Sequence, residues 1–157
     1  TLIISPPGAG KTTFLRDLLY QLSNKNYCIN ICVIDERGEI AGGENNKIDI
    51  GNFCDIVSYC SKKQGFDQCI RTMNPKLIVT DEIGDDSDFD CLIEAMNKGV
   101  NVVVTIHALN IEQLQQKKFF SKLPTNYFDR YILLSNREGP GTFEGVYNNK
   151  FSKIVRW

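Results

Sequence analysis

Thr1-Leu2-Ile3-Ile4-Ser5-Pro6-Pro7-Gly8-Ala9-Gly10-Lys11-Thr12-Thr13-Phe14-Leu15 decides the fold. The stretch opens as an apolar strand over residues 1–5 and breaks at two prolines and two glycines. It resumes at Lys11 as a helix with Phe14, Leu15, Leu18, Leu19 and Leu22 along one face. A Gly-rich turn joining a strand to a helix is the setting of a phosphate-binding loop, the P-loop. Its backbone N–H groups turn inward as an anion-binding nest, and the helix N-terminus adds its dipole. Gly8 and Gly10 let the backbone approach phosphate with no Cβ in the way. Lys11 is a point charge that reaches β- and γ-oxygens, and the Thr12 hydroxyl can ligate Mg²⁺. The ligands expected are therefore ATP and Mg²⁺, on Pro7, Gly8, Ala9, Gly10, Lys11, Thr12 and Thr13. Ser5 stands where the usual motif has glycine; serine is small and ends the strand, so the loop survives.

Outward from this point, short apolar runs alternate with amphipathic ones. Strands are expected over 28–34, 55–59, 77–80, 101–106 and 131–134, and helices over 11–23, 65–73, from Ser87 or Asp88 to Lys98, and from Ile111. Gly99 suits the position after a helix C-terminus. Residues 142–157 read as a β-hairpin turning at Asn148-Asn149. This is an α/β pattern: a mostly parallel central sheet with helices on both faces, three layers (αβα), closed by a C-terminal β-hairpin.

The chain has 157 residues, enough for one domain over 1–157, with 42% hydrophobic and 24% charged residues, which excludes disorder as the starting point. A net charge of −1 gives no field that calls for nucleic acid, and no direct nucleic-acid partner is expected. The six cysteines include no CxxC pair and there is one histidine, so no zinc site is expected; the thiols read as reduced and buried in a cytosolic protein. There is no signal peptide, and no apolar run approaches the ~20 residues of a membrane-spanning helix.

Leu77-Ile78-Val79-Thr80-Asp81-Glu82 is an apolar strand ending in two carboxylates, the Walker B arrangement. Asp81 would hold Mg²⁺ through a water, opposite Thr12, and Glu82 would polarise the attacking water. Alone, two solvated acids at a strand end would be unremarkable; behind a P-loop they are a catalytic pair. Asp35-Glu36-Arg37-Gly38-Glu39 follows the second strand at its carboxyl end, the edge where open α/β sheets bind ligands. On charge content alone this is a solvated loop. Thr105-Ile106-His107-Ala108 ends another strand at that edge, and by spacing alone His107 serves equally as a phosphate sensor or a structural loop residue.

The order of these blocks resembles the type II/type IV secretion ATPase superfamily, which includes pilus motors, and within it the branch found in endospore-forming bacteria. The stretches that carry the likeness are SPPGAGKTT (5–13), VIDERGEIAG (33–42), MNPKLIVTDEIG (73–84), GVNVVVTIHA (99–108) and YFDRYILLS (127–135). The resemblance implies a RecA-like ATPase module forming a homo-oligomeric ring, a hexamer. The ring would be cytoplasmic and peripheral at a membrane, on the mother-cell side of a channel to the forespore, with membrane-embedded channel proteins as partners. It implies catalytic work for Glu82, Lys11, Glu39 and His107: Asp35, Glu36 and Glu39 become the Asp box and His107 the His box. It makes Arg37 a contact for phosphate or a neighbouring protomer. Gly43 to Lys47 do not match. The family carries a further domain ahead of the ATPase module, absent from this stretch, which opens inside a strand; the chain is expected to bind nucleotide and hydrolyse it slowly. Two other classes stay open: a monomeric nucleoside-triphosphatase or small-molecule kinase, although Arg71, Arg130, Arg137 and Arg156 are scattered rather than gathered in a lid, and a binding module without hydrolysis.

Overall fold

The computed structural model describes residues 1–24, 29–43, 46–120, 123–124 and 127–155. Among them are eight strands and four α-helices, and strand pairings are parallel except at the C-terminal end. The chain packs as two compact units, residues 1–11, 82–85 and 104–157, and residues 12–81 and 86–103.

In the first unit β1 (Leu2–Ser5) is wholly buried. It pairs in parallel with the 104–107 end of β5 (Asn101–His107) on one side and with β6 (Arg130–Ser135) on the other. A strand covered on both faces must be apolar throughout rather than alternating, and Leu2-Ile3-Ile4 obliges. β6 continues into β7 (Thr142–Asn148) and β8 (Lys153–Val155), both antiparallel. Tyr131 anchors an aromatic cluster with Phe120, Phe128 and Phe151, its ring 4.7 Å from that of Phe151 and 5.9 Å from that of Phe128. The short α4 (Ile111–Gln115) buries Ile111 and Leu114 and is capped by the Asn110 side chain.

In the second unit β2 (Ile31–Asp35), fully buried, lies between β3 (Cys54–Ser58) and β4 (Leu77–Glu82), parallel to both. Helix α1 (Lys11–Asn24) buries Leu15 and Leu19. Helix α2 (Lys62–Gln68) packs beside α3 (Asp86–Asn97). Gly65 lets α2 close on β2: a Cβ there would meet Ile34 Cγ2 at 2.6 Å. Helix α3 ends in a Schellman motif, with Gly99 at φ +81, its N–H on Met96 O, and the Val100 N–H on Ala95 O.

The expected strands and helices are present with shifted ends, and the Gly99 terminus is as read. Residues 25–28, where the second strand was expected to begin, and Arg156 and Trp157 lie outside the described residues. Three expectations change. The helix of 65–73 begins earlier, because Ser61 and Gln64 form a capping box, and from Cys69 to Met73 it continues as a π-helical stretch. The hairpin does not turn on Asn148-Asn149 alone: the Asn148 side chain accepts from Lys150 and Ser152 N–H, holding a longer loop over 149–152. Cys32 and Cys69, both fully buried with Cα atoms 6.3 Å apart, are joined as a disulfide rather than reduced; Cys54, Cys60 and Cys91 are free thiols, and Cys28 lies outside the described residues.

Candidate functional site

The chain leaves β1 at Ser5 and makes a tight loop before α1. Ala9 is buried, and its N–H closes on Pro6 O at 3.3 Å. Gly8 and Gly10 take φ of +71° and +76°, the left-handed region that a side chain strains. A Cβ added to Gly8 would meet nothing within 4 Å, so space stands open beside it. Among the described residues the Gly8 and Gly10 N–H groups donate no hydrogen bond. Unpaired donors on a left-handed loop at a helix start are the chemistry of an anion nest, and the residues present fit a phosphate.

Three side chains converge beside this loop in the first unit. His107 Nε2 lies 2.9 Å from Glu82 Oε2. The Lys11 ammonium lies 2.8 Å from His107 Nε2, 3.0 Å from Nδ1 and 4.0 Å from Glu82 Oε2. A proton on Nε2 lets the ring donate to the Glu82 carboxylate, while the Lys11 ammonium lies against both ring nitrogens. The placement follows from strand register. Ser5 pairs with His107 across β1 and β5, and the Ala108 N–H donates to Ser5 O at 3.2 Å. The Ile83 N–H donates to Thr105 O at 2.9 Å, which sets Glu82 beside the same strand end. Of the two roles open to His107, the structure gives it contacts to both charged groups rather than to loop backbone alone.

The second unit holds the remaining candidates. Thr12 and Thr13 lie in the first turn of α1, Thr12 half-buried, and Asp81 is the half-buried penultimate residue of β4. The loop after β2 is organised by Asp35, which is 1% exposed. Its carboxylate accepts the N–H groups of Glu39, Ile40 and Ala41 at 2.8, 3.0 and 2.9 Å. Arg16 of α1 donates to the carbonyls of Glu39 and Ile40 at 2.6 and 3.0 Å. The Glu39 backbone is thus held from two sides while its side chain, like that of Arg37, is exposed. Glu36 is paired with Lys62 at 2.8 Å, and Asp88 of α3 lies 3.6 Å from the same ammonium. Burial opposes charge on Lys62, but these two carboxylates outweigh it and raise its pKa above 10.5. Arg16 and Lys62 carry no signal in the sequence: Arg16 is one more cation on the expected helix of 11–23, and Lys62 falls ahead of the expected helix of 65–73.

A family model, described as sporulation stage III, protein AA, matches residues 1–154. The chain belongs to this family. It is 40% identical over 162 residues to stage III sporulation protein AA of Bacillus subtilis, covering 99% of this chain and 53% of that relative. The chain therefore spans about half the length of that protein. Among solved structures it is similar to the VirB11 ATPase of the Brucella suis type IV secretion system, with a TM-score of 0.68 at 16% identity over 95% of this chain and 48% of that one. It is also similar to the pilus retraction motor PilT, solved with bound ADP, with a TM-score of 0.64 at 16% identity over 84% of this chain and 41% of that one. At that identity the likeness shows the fold: the mostly parallel α/β architecture of secretion ATPases. No helix among the described residues is long and apolar enough to cross a membrane.

Proposed function

We propose that this chain is an ATP-hydrolysing module of a ring-forming, secretion-type motor that serves a membrane complex in sporulation. The observation that carries the reading is the cluster of Lys11, Glu82 and His107 beside a loop whose Gly8 and Gly10 N–H groups are unpaired among the described residues. Lys11 lies against His107 and Glu82 beside the nest. A triphosphate entering the nest draws the Lys11 ammonium onto its β- and γ-oxygens. Glu82, still hydrogen-bonded to His107 Nε2–H, then faces the attacking water with its free carboxylate oxygen, orients it and accepts its proton as the γ-phosphoryl group departs. The products are ADP and phosphate.

Thr12, and Asp81 through water, supply hard oxygen donors of the kind Mg²⁺ takes. When bound, that ion neutralises charge on the phosphate oxygens. Pro7, Gly8, Ala9, Gly10 and Thr13 complete the phosphate contacts through backbone groups. Glu39 and Arg37, exposed on the Asp35 loop, are assigned to water activation and to a neighbouring protomer respectively. A homo-hexameric ring, cytoplasmic and docked on membrane-embedded channel proteins at the mother-cell face, is the assembly that the family membership and the VirB11 and PilT likenesses support. Residues 1–157 act in it as one ATPase domain, joined in the whole protein to a further one.

Phosphate release and sedimentation of the whole protein test this together. Glu82→Gln should lower turnover at least ~100-fold, the scale of a positioned base, while retaining ATP binding, and wild-type protein should sediment as a ring with a non-hydrolysable ATP analogue. Unchanged turnover in Glu82→Gln, or a monomer under all conditions, would overturn the reading.

A further inference from the structure

The β6–β7 turn, 136–141, lies against the outer side of the phosphate loop in the first unit. The Asn136 side-chain amide donates to Pro7 O at 3.2 Å, and the Gly141 N–H donates to Ala9 O at 3.0 Å. The approach is close: a Cβ on Gly10 would lie 3.2 Å from Gly141 N. The turn is tied internally. The Gly139 N–H bonds Asn136 O at 3.2 Å, Thr142 Oγ1 donates to Gly139 O at 2.7 Å, and the Glu138 N–H reaches Thr142 Oγ1 at 3.2 Å. Its base is fixed by Ser135, whose hydroxyl donates to Glu144 at 2.6 Å and accepts the Arg137 N–H at 3.2 Å.

The two captured carbonyls are not arbitrary. A trans peptide is planar, so its C=O and the N–H of the next residue point in opposite directions. Pro7 O belongs to the peptide that carries the Gly8 N–H, and Ala9 O to the peptide that carries the Gly10 N–H. Fixing both carbonyls on the turn aims both N–H groups the other way, and these are the two loop donors without an acceptor among the described residues. Glycine at 8 and 10 would otherwise let both peptides rotate freely. We propose that the 136–141 turn, through Asn136 Nδ2 and Gly141 N–H, is a positioning segment that presets the Gly8 and Gly10 amides to receive the phosphates of a nucleoside triphosphate. The proposal rests on the nucleotide-binding reading above. Asn136 touches no reacting atom; it acts through the loop.

The test uses ¹⁵N-glycine-labelled whole protein. In the nucleotide-free Asn136→Ala variant, the Gly8 and Gly10 amide signals should shift or broaden, while that of Gly99 stays put; Asn136→Gln, which keeps the donor, should restore them. Affinity for Mg-ATP and for tripolyphosphate should fall by the same factor in Asn136→Ala, about threefold to tenfold for one lost hydrogen bond, with kcat at saturating ATP unchanged. Gly8 and Gly10 signals identical to wild type in the nucleotide-free variant overturn the proposal, whatever the protein binds. A wild type that binds neither Mg-ATP nor tripolyphosphate refutes instead the nucleotide reading, and removes the ligand the preset loop is meant for.

Discussion

Asp35→Ala should be among the most damaging single substitutions in the second unit, although the residue opens a loop rich in charge. Its carboxylate is 1% exposed and takes three backbone N–H groups. Two of these belong to Ile40 and Ala41, which are 0% and 5% exposed, so no water replaces the lost acceptor. Each buried donor left unpaired costs about 1–3 kcal/mol, and the exposed Glu39 N–H costs little because it rehydrates. The sum is about 2–6 kcal/mol, which for a chain of this size lowers Tm by roughly 5–20 °C. Asp35→Asn should fall between: its carbonyl oxygen still accepts, while its amino group faces the remaining donors. Thermal melts and urea titrations of the three proteins, followed by circular dichroism, measure the difference. An Asp35→Ala variant that melts within a degree of wild type would refute the argument that this carboxylate is the loop's internal acceptor.

The Cys32–Cys69 bond closes a loop of sequence separation 37, for which the chain-entropy estimate is about 3–4 kcal/mol. Reductant should lower the denaturation midpoint of wild type accordingly and leave a Cys32→Ala/Cys69→Ala variant unmoved; an intact-mass measurement showing both thiols free in protein purified without reductant would refute the pairing. Lys62 has a folded pKa raised above its ordinary 10.5, so its pairing with Glu36 and Asp88 stabilises fully below pH 10.5 and is lost as pH rises through the higher folded value. Urea midpoints taken from pH 9 to 12 should therefore fall more steeply for wild type than for Lys62→Met, and parallel curves would count against the ion pairs.

What could be read from the sequence was whatever repeats over short distances. The phosphate loop, the apolar strand ending in Asp81-Glu82 and the glycine ending α3 each depend on neighbours within a few residues, and each lies where the pattern put it. The Ser61–Gln64 capping box is equally local, and it lies ahead of Gly65, where the helix is expected to start. The rest was not legible for a physical reason: the partners are remote. Nothing near Asn136 indicates that its amide meets Pro7, 129 positions away, and nothing near Cys69 indicates Cys32. Asp35 shows the opposite error. Surrounded in sequence by Glu36, Arg37 and Glu39, it reads as one of several solvated or functional acids, whereas the fold turns it inward as the acceptor on which the loop is built.

The cluster of Lys11, Glu82 and His107 owes its geometry to strand pairing more than to any of the three residues. β1 is buried on both faces, and its register with β5 sets Ile4 opposite Ile106 and Ser5 opposite His107. Side chains alternate along a strand, so a slip of one residue would bring Ile106 to the position of His107 and turn the imidazole to the other face. Such a slip would also break the Ala108 N–H to Ser5 O bond at the mouth of the phosphate loop. Unlike a flat polar strand, β1 and β5 cannot tolerate that shift, because Ile3, Ile4, Val104 and Ile106 are wholly or almost wholly buried and Thr105 is buried with them. The apolar run Leu2-Ile3-Ile4 therefore does two jobs at once. It supplies core, and by fixing register it helps bring His107 within hydrogen-bond distance of both Lys11 and Glu82, residues from three distant parts of the chain.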